Sequence, residues 1–348
     1  MNGRPALLDM TGEELDSALA TLGQPAFRAR QVGEWLLRGV DFDGMTNLPA
    51  ALRGQLAEAY AVGGAAIVEA RQSQKDDTEK YLYRFADGNV VEGVLLRYHH
   101  GNTLCVSTQV GCRMGCAFCA STRGGLIRNL TAGEMLGQPI AVNARLGGGR
   151  QVTNLVLMGS GEPLDNYDNV LAFLRRATDA NGLGISARNI SLSTCGLPEG
   201  MARLAQEGLP LTLCLSLHSP FDEARARLMP AARAFTVRQV VQALKDYIAA
   251  TGRRAIVEYA LIAGTNDREE DARALAALLK GTLCHVNLIP LNAVPEAGLA
   301  GTTREGANRF AARLTSLGLS ATVRRTLGED IEGACGQLRR RHMEKGER

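Results

Sequence analysis

The sequence lacks any long hydrophobic run and any recognisable secretion signal. None of its apolar runs reaches the roughly eighteen uncharged residues that a membrane-spanning helix requires. The amino-terminal stretch, MNGRPALLDMTGEELDSA, has no apolar core of the kind that a signal peptide carries. Hydrophobic residues at 45% and charged residues at 22% are ordinary for a globular protein. We therefore expect a cytoplasmic protein with no membrane partner.

The sequence also lacks the distant ligand pair that a structural zinc site needs. Cys112, Cys116 and Cys119 form the pattern C-x3-C-x2-C, but there is no second C-x-x-C and no H-x3-H. A 4Fe-4S cluster normally takes four cysteines, so three would leave one iron open, which is what catalysis requires. The pattern therefore favours a catalytic iron-sulfur cluster over structural zinc. The eight cysteines as a whole indicate metal or redox chemistry and not a disulfide framework.

The chain carries little net charge, and it has no recognisable phosphate-binding loop. The formal charge of +3 is weak support for a nucleic-acid partner. Cations concentrate in residues 324–330 and 338–348, and for the second stretch a solvated tail is as good an explanation as an RNA contact. The glycines of residues 147–150 precede no P-loop lysine, so they predict a turn.

Hydrophobic periodicity divides the chain into four parts. The first part shows three amphipathic helical patterns, and the first of these opens with a capping box of Thr11 and Glu14. Its arginines suit RNA phosphates and solvent equally well. The second part contains two strand patterns joined at Asp87-Gly88, which predicts a β-hairpin. The predicted parts are a helical RNA-binding accessory domain at 1–62, a hairpin linker at 63–100, the main domain at 101–335 and a basic tail at 336–348.

The main domain alternates strand-like and helix-like segments. Six short runs of β-branched and aliphatic residues, among them TLCVSTQ, TNLVLMG and AIVEYALI, alternate with helical patterns. Such repeats predict a parallel sheet with helices packed outside it. Six units are too few for a closed eight-stranded barrel. We therefore expect an α/β fold with a partial (β/α)6 TIM-like barrel and with active-site residues at the C-terminal ends of its strands.

Polar residues follow several of these predicted strands. The carboxylate of the Gly161-Glu162 turn could accept hydrogen bonds from an ammonium group. Further strand ends carry Ser193, Ser216, His218 and Asn292. Each alone is commonly just a satisfied polar group, but their recurrence along one sheet predicts a shared pocket. By contrast, Cys195, Cys214 and Cys284 lie in or beside apolar strands and are predicted to be buried small residues.

Several blocks of sequence resemble one enzyme family over nearly the whole chain. The three-cysteine pattern resembles the signature of radical S-adenosylmethionine (radical SAM) enzymes. The blocks TLCVSTQVGC, CAFCAST, RNLT, MGSGEPLDNYDNVL, SLHSPFDEARARLMP, HVNLIPLN and GEDIEGACGQL resemble the RlmN/Cfr family of radical SAM RNA methyltransferases. The resemblance implies that Cys112, Cys116 and Cys119 bind a 4Fe-4S cluster whose open iron chelates SAM. It implies SAM contacts from Gly161, Glu162, Ser193, Ser216, Leu217, His218 and Asn292.

The resemblance also implies three catalytic residues. Carbon 2 of adenine is electron-poor, so it cannot take a methyl group from SAM by ordinary substitution. In the scheme that the family implies, Cys335 accepts a methyl group from one SAM, and cleavage of a second SAM turns that group into a radical that adds to adenine. Glu92 would then accept the ring proton, and Cys105 would attack sulfur to release the RNA and leave a Cys105–Cys335 disulfide. Without the resemblance, Glu92 would be interpreted as an ordinary outward-facing strand residue.

Some positions depart from the pattern of the family or divide its branches. Cys195 stands where serine is expected, and Ser160 replaces a bulkier apolar residue, so both could retune the SAM pocket. The block GEPL favours the carbon-2 branch, whereas SLHSP leans slightly toward the carbon-8 branch typified by Cfr, whose consequence is antibiotic resistance. We expect methylation of adenine carbon 2 in 23S rRNA at the peptidyl-transferase centre, with the tRNA adenine 3′ to the anticodon as second substrate.

The resemblance further implies a low-potential electron donor, such as flavodoxin, and a monomeric enzyme. An iron-sulfur protein that only binds RNA or carries electrons is the alternative of another class. An electron carrier would more naturally have four cysteine ligands, and a binding module would not need Cys105 and Cys335. Cleavage of SAM to 5′-deoxyadenosine would distinguish the enzyme from both.

Overall fold

The amino-terminal part of the protein is a group of three helices. The computed structural model describes residues 3–291, 298–325 and 327–331. The first helix begins with the predicted capping box, because Thr11 Oγ1 accepts from the Glu14 amide at 3.2 Å and Glu14 Oε2 accepts from the Thr11 amide at 2.7 Å. The three helices are α1 (Gly12–Thr21), α2 (Phe27–Leu36) and α3 (Ala50–Ala59).

These helices share one hydrophobic core with the rest of the chain. Leu7 and Leu8, just before α1, are almost completely buried and pack beside the fourth helix, α4 (Ala132–Arg145). The carboxylate of Asp9 accepts a hydrogen bond from the Gly133 amide at 2.7 Å, in the first turn of α4. The helical part is therefore attached to the α/β part by apolar packing and by a side-chain cap.

A ten-stranded mixed sheet forms the centre of the molecule. Its strand order is β1-β2-β3-β4-β7-β8-β9-β10-β11-β12, and β5 and β6 form a separate antiparallel pair. The pairs β1–β2, β2–β3 and β3–β4 are antiparallel, and every pair from β4 to β12 is parallel. The strands are β1 (Ala66–Gln72), β2 (Glu79–Arg84), β3 (Val90–Tyr98), β4 (Gly101–Cys105), β5 (Gln109–Gly111), β6 (Leu126–Asn129), β7 (Asn154–Leu157), β8 (Ile190–Thr194), β9 (Thr212–Ser216), β10 (Ala255–Leu261), β11 (Cys284–Pro290) and β12 (Ala321–Val323).

The parallel part confirms the predicted partial barrel with helices between its strands. The six predicted strands are present, and β12 adds a seventh that sequence analysis did not find. With only three residues, β12 is too short to show a period. The two edge strands are β1 and β12, so the barrel is open over the residues that the structure describes. Its remaining helices are α5 (Tyr167–Thr178), α6 (Pro198–Gln206), α7 (Asp222–Leu228), α8 (Val237–Thr251), α9 (Glu269–Leu279) and α10 (Arg304–Ser316).

The predicted hairpin is also confirmed, and it extends the central sheet. Strands β2 and β3 are joined at Asp87-Gly88, and β3 continues the sheet by pairing with β4. In this register Lys80 of β2 lies opposite Val94 of β3, which in turn lies opposite Cys105 of β4. Directly paired residues share a face, so the register places Lys80 and Cys105 on the same side of the sheet. In the described part of the chain, no helix is both long enough and apolar enough to cross a membrane.

Candidate active site

The three-cysteine segment lies in a loop whose two ends are joined by the antiparallel pair β5–β6. We call residues 112–119 the cluster loop. The parallel strand β4 ends at Cys105, earlier than the run TLCVSTQ suggested, and the chain then enters the β5–β6 pair that flanks the loop. Gly111 has a φ of +76°, and a Cβ there would lie 2.0 Å from the carbonyl oxygen of Gly125. Only glycine fits this approach, which lets the Cys112 amide donate to the same carbonyl at 3.0 Å.

The thiols of the cluster loop are close enough to affect one another. Cys112 is buried, and Cys116 and Cys119 are half-buried. Burial, with a contribution from the neighbouring Cys119, raises the pKa of the Cys112 thiol to about 11. Burial likewise raises the pKa values of Cys116 and Cys119, and for Cys116 the other two thiols add to the rise. Ligand thiols must lose their protons, so iron binding here would release protons and would weaken at low pH.

The three thiols of the cluster loop are candidate ligands of a 4Fe-4S cluster. Such a cluster binds each cysteine through a different iron, so three cysteines would leave one iron open. Within residues 3–291, 298–325 and 327–331, no three His, Cys, Asp or Glu side chains are arranged to hold one metal ion.

The cluster loop rests on the segment that follows α7. The Ala117 amide donates to the Leu228 carbonyl at 2.9 Å, and the Ala231 amide donates to the Met114 carbonyl at 3.2 Å. The ring of Phe118 stands edge-on to the ring of His218, with 4.8 Å between their centroids. These contacts bring the loop against the C-terminal ends of β9 and β10, where the pocket was predicted.

Gly161 and Glu162 form a tight connection at the end of β7. Gly161 has a φ of +113°, and a Cβ there would lie 2.6 Å from Thr108 Oγ1. Glu162 is buried, with Oε2 accepting from the Cys195 amide at 2.8 Å and Oε1 accepting from the Leu164 amide at 3.1 Å. Burial raises the pKa of Glu162, while these backbone bonds oppose the rise. The carboxylate therefore ties the ends of β7 and β8 together, and its remaining lone pairs are what an ammonium group could use.

Ser193 and Ser216 stand side by side on neighbouring strands. Their hydroxyl oxygens are 3.3 Å apart, close enough for one to donate to the other. Ser193 belongs to β8 and Ser216 to the end of β9, and both side chains are half-buried. Two hydroxyls in this position can each donate and accept, which suits a polar ligand at the mouth of the barrel.

Leu217 and His218 form a strained turn directly after β9. The Leu217 side chain is fully buried, so it could offer a ligand only main-chain atoms. His218 has a φ of +58°, which is uncommon for a residue with a side chain. Its Nδ1 accepts from the Ala260 amide at 2.9 Å, so the ring carries its proton on Nε2. Burial, aided by the charge of Arg225, lowers the pKa of His218 to about 3, and the ring is neutral.

A buried arginine that sequence analysis missed holds this turn in place. Arg225 is 1% exposed, and it donates from Nε to the Leu217 carbonyl at 3.1 Å and from Nη2 to the Ser216 carbonyl at 3.3 Å. Nη2 also donates to the Cys195 carbonyl. No pattern in the sequence indicated this role, because an arginine in the stretch DEARARL is typical of an exposed helix face.

Glu92 and Cys105 belong to a second group of side chains, inside the antiparallel part of the sheet. Lys80 Nζ lies 3.3 Å from Glu92 Oε1, and neither side chain is appreciably exposed. Burial raises the pKa of the Cys105 thiol to about 11; Arg324 and Lys80 lower it, and Glu92 raises it. We call Lys80, Glu92, Cys105 and Arg324 the interior polar group. Arg324 follows β12, at the far end of the strand order, so these residues lie on the face where the two ends of the sheet approach each other.

Two of the predicted site residues cannot be placed, and the predicted buried cysteines can. Asn292 and Cys335 lie outside the described residues. The seven described cysteines are free, and Cys195, Cys214 and Cys284 are buried as predicted. Of the two departures, Cys195 contributes its amide to Glu162, and the Ser160 amide donates to Ser107 Oγ at 2.8 Å. Both positions therefore support the wall of the pocket through main-chain groups.

Models of known families match two parts of the chain. Residues 106–276 match the radical SAM superfamily, and residues 6–62 match the N-terminal domain of ribosomal RNA large subunit methyltransferases. The first match contains the cluster loop and most of the parallel strands. The second covers the group of three helices.

Whole-length relatives are similar to the chain from end to end. A probable dual-specificity RNA methyltransferase RlmN of Symbiobacterium thermophilum is 51% identical and covers 99% of this chain and 93% of the relative. The protein of the same name from Alkaliphilus oremlandii is 48% identical and covers 97% of this chain and 98% of the relative. The crystal structure of a radical SAM methyltransferase from Sphaerobacter thermophilus, 44% identical, superposes with a TM-score of 0.91 over 96% of this chain and 98% of the other.

Proposed function

The chain belongs to the RlmN family of radical SAM methyltransferases, and we propose that it methylates carbon 2 of an adenine in RNA. The proposed substrates are 23S rRNA, at the peptidyl-transferase centre, and tRNA, at the adenine 3′ to the anticodon. The observation that supports this proposal best is the interior polar group. It couples a thiol and a carboxylate to two cations. An electron carrier has no use for such a group.

The family uses SAM and a 4Fe-4S cluster, and this chain has residues suited to both. Cys112, Cys116 and Cys119 would hold the cluster, which when bound supplies the electron that starts radical chemistry on SAM. Glu162, the hydroxyls of Ser193 and Ser216, and the Leu217-His218 turn would hold SAM at the strand ends. The neutral ring of His218 adds no positive charge there, which favours binding of a sulfonium ligand.

Cys335 is the proposed carrier of the methyl group. Its thiolate would take the methyl group from one SAM, and a second SAM would be used to activate it, so that each turnover consumes two SAM in a ping-pong order. The state of Cys105 supports this division of labour. A thiol whose pKa is raised to about 11 remains protonated at neutral pH, and a protonated thiol does not compete for the methyl group of SAM.

The last two roles belong to the interior polar group. Glu92 is the proposed acceptor of the adenine ring proton. Cys105, once it has lost its own proton, then forms a disulfide with Cys335; the bond between the Cys335 sulfur and the methylene carbon breaks, and that carbon takes the electron pair and a proton to become the methyl group of the RNA. Strands β3 and β4 pair side by side, so these two residues reach the same face of the sheet. Their proximity suits two steps that follow each other on one substrate.

Mass mapping of RNA from cells tests the proposal. The gene would be expressed in a bacterial host that lacks its own adenine-C2 methyltransferase, and nucleosides from 23S rRNA and tRNA would be separated and identified. We expect 2-methyladenosine in both RNAs, and none from a Cys335→Ala variant. A product methylated at carbon 8 would instead assign the chain to the branch toward which SLHSP leans. Absence of any methylated adenosine, together with no cleavage of SAM to 5′-deoxyadenosine by the purified protein, would contradict the proposal.

A further inference from the structure

We propose that Lys80 is a positioning residue for the proton transfer assigned to Glu92. The inference rests on the proposed function, because it concerns how the proton acceptor of that reaction is kept ready. Lys80 would hold the carboxylate of Glu92 aimed at the substrate side of the sheet, while taking no part in the chemistry itself.

Lys80 has no contact with solvent, which is rare for a lysine. Its side chain is 0% exposed, the side chain of Glu92 is 7% exposed, and Nζ lies 3.3 Å from Oε1. A buried ammonium group is costly unless a carboxylate balances it, and a buried carboxylate without a cation tends to take up a proton and become neutral. The 3.3 Å ion pair therefore balances the two charges inside the sheet.

The strand register shows on which face of the sheet the Lys80–Glu92 pair lies. Lys80 lies opposite Val94 and Glu92 lies opposite Leu82, so the pair is a diagonal contact between β2 and β3. Val94 lies opposite Cys105 on the next strand, which puts the pair and the thiol on one face. The charge of Lys80 lowers the pKa of the Cys105 thiol and that of Glu92 raises it, so both are near enough to act on that thiol.

The same two strands carry a second diagonal ion pair on the opposite face. Arg97 of β3 bonds to the carboxylate of Glu79 of β2, which also accepts from the Tyr81 hydroxyl at 2.9 Å. The Arg97 side chain is 33% exposed. Because this pair already joins β2 to β3, a second, fully buried lysine is not needed to hold the strands together. Lys80 lies on the same face of the sheet as Cys105, which is the face where the proposed reaction takes place.

Among the described residues, the charged and titratable groups that interact with Glu92 include Lys80 on β2, Cys105 on β4 and Cys119 in the cluster loop. Arg324, after β12, acts on the same Cys105 thiol. In the proposed step the C–H bond of the methylated adenine adduct breaks, its electron pair stays with the ring, and the proton moves to a carboxylate oxygen of Glu92. Lys80 takes no part in this transfer, so its role is to fix the position and direction of the acceptor.

Single-turnover assays of holoenzyme with RNA test the inference through one step of the reaction. A Lys80→Met variant, which preserves side-chain length, is expected to retain iron-sulfur absorbance, SAM cleavage and a methyl group on the Cys335 peptide. Its RNA methylation should be slower by roughly 100-fold, the scale of one acid–base contribution. A covalent adduct between protein and RNA should accumulate on denaturing gels, as in Glu92→Gln. The matched control, Arg97→Met, should stay within about threefold of wild type without adduct, as expected for a partly exposed ion pair.

Three outcomes would decide against the inference. If Lys80→Met methylates RNA at the wild-type rate while Glu92→Gln is slow, the role of Lys80 is wrong and the proposed function stands. If Glu92→Gln is also fast and forms no adduct, the role of Glu92 itself is wrong. A uniform decline of all steps in Lys80→Met, including SAM cleavage, would indicate a purely structural lysine.

A double variant keeps the test decisive if Lys80→Met alone folds poorly. Combining it with Glu92→Gln removes both charges together, which relieves the unpaired carboxylate. If Lys80 acts only through Glu92, the double variant should be as slow as Glu92→Gln and no slower. A further decline of more than about threefold, the range that remains once a coupled pair has been removed, would overturn the inference.

Discussion

The cluster loop and the interior polar group are built in opposite ways. The cluster loop gathers three thiols within eight residues of one segment, and its shape depends on local features such as the glycine at 111. The interior polar group takes one residue from each of β2, β3 and β4 and a fourth from beyond β12. Ligands for a cluster are best held close together in sequence, whereas groups that act on a large substrate can come from anywhere that the fold brings together. The two regions should therefore respond differently to substitution.

Substitution in the cluster loop should have the largest effect, because every later step depends on it. Replacing any one of Cys112, Cys116 and Cys119 with alanine removes one of only three protein ligands. We expect loss of the iron-sulfur absorbance near 400 nm and of SAM cleavage, both to background, measured after anaerobic reconstitution. Cys214→Ala, at a buried cysteine outside the loop, is the matched control and should keep both. Full cluster and normal cleavage in all three variants would contradict the assignment.

Substitution in the interior polar group should stop the reaction late and leave its early steps intact. Cys105→Ala should load a cluster, cleave SAM and carry a methylated Cys335, but it should not release its product. We therefore expect covalently attached RNA that survives denaturation and that nuclease trims to an adenine adduct on Cys335. The packing loss from one buried thiol is small by comparison. Free protein with normal RNA methylation would show that Cys105 has only a packing role.

Titration of His218, in the Leu217-His218 turn, should give a smaller effect, which appears as a pH dependence of the free energy of unfolding. The pKa of His218 is lowered from 6.5 to about 3 in the folded protein. Between these values the unfolded chain binds a proton that the folded chain does not, so stability falls as pH falls. From pH 7 to pH 5 this residue should cost about 2 kcal/mol of unfolding free energy.

Denaturant unfolding of wild type and of His218→Asn measures this contribution. Asparagine tolerates the positive φ at this position but does not titrate in the range. The variant should therefore lose about 2 kcal/mol less than wild type between pH 7 and pH 5. Equal losses in the two proteins would mean that the ring is not held neutral.

The smallest effect is expected at Cys195, where this chain departs from the pattern of the family. Its amide and carbonyl bind Glu162 and Arg225, and these main-chain groups are unchanged by substitution of the side chain. Its thiol also bonds to the Glu162 carboxylate, and a serine hydroxyl can make the same bond. Cys195→Ser should alter kcat/KM for SAM cleavage by less than about fivefold, since replacing one hydrogen-bond donor by another changes the free energy by about 1 kcal/mol or less. A larger change would show that the thiol itself contacts the cofactor.

The fold was largely predictable because its signals are local. The capping box of α1, the turn at Asp87-Gly88 and the alternation of strands and helices are each read within a few residues. The short strand β12 was not predicted, because three residues are too few to show a hydrophobic periodicity. The end of β4 at Cys105 was not predicted, because the run TLCVSTQ continues past the strand into the segment that leads to β5.

In the candidate site, too, the locally encoded features were predictable and the long-range ones were not. The sequence alone identifies the proposed cluster ligands, because three thiols lie close together in the chain and their spacing is visible without a structure. Only the tertiary structure revealed that Lys80 neutralises Glu92, that Arg324 acts on Cys105, and that Arg225 is buried. The physical reason is that a charge acts through space. The partner of a buried charge is set by strand register and by the curvature of the sheet, and neither leaves a trace in the spacing of residues along the chain.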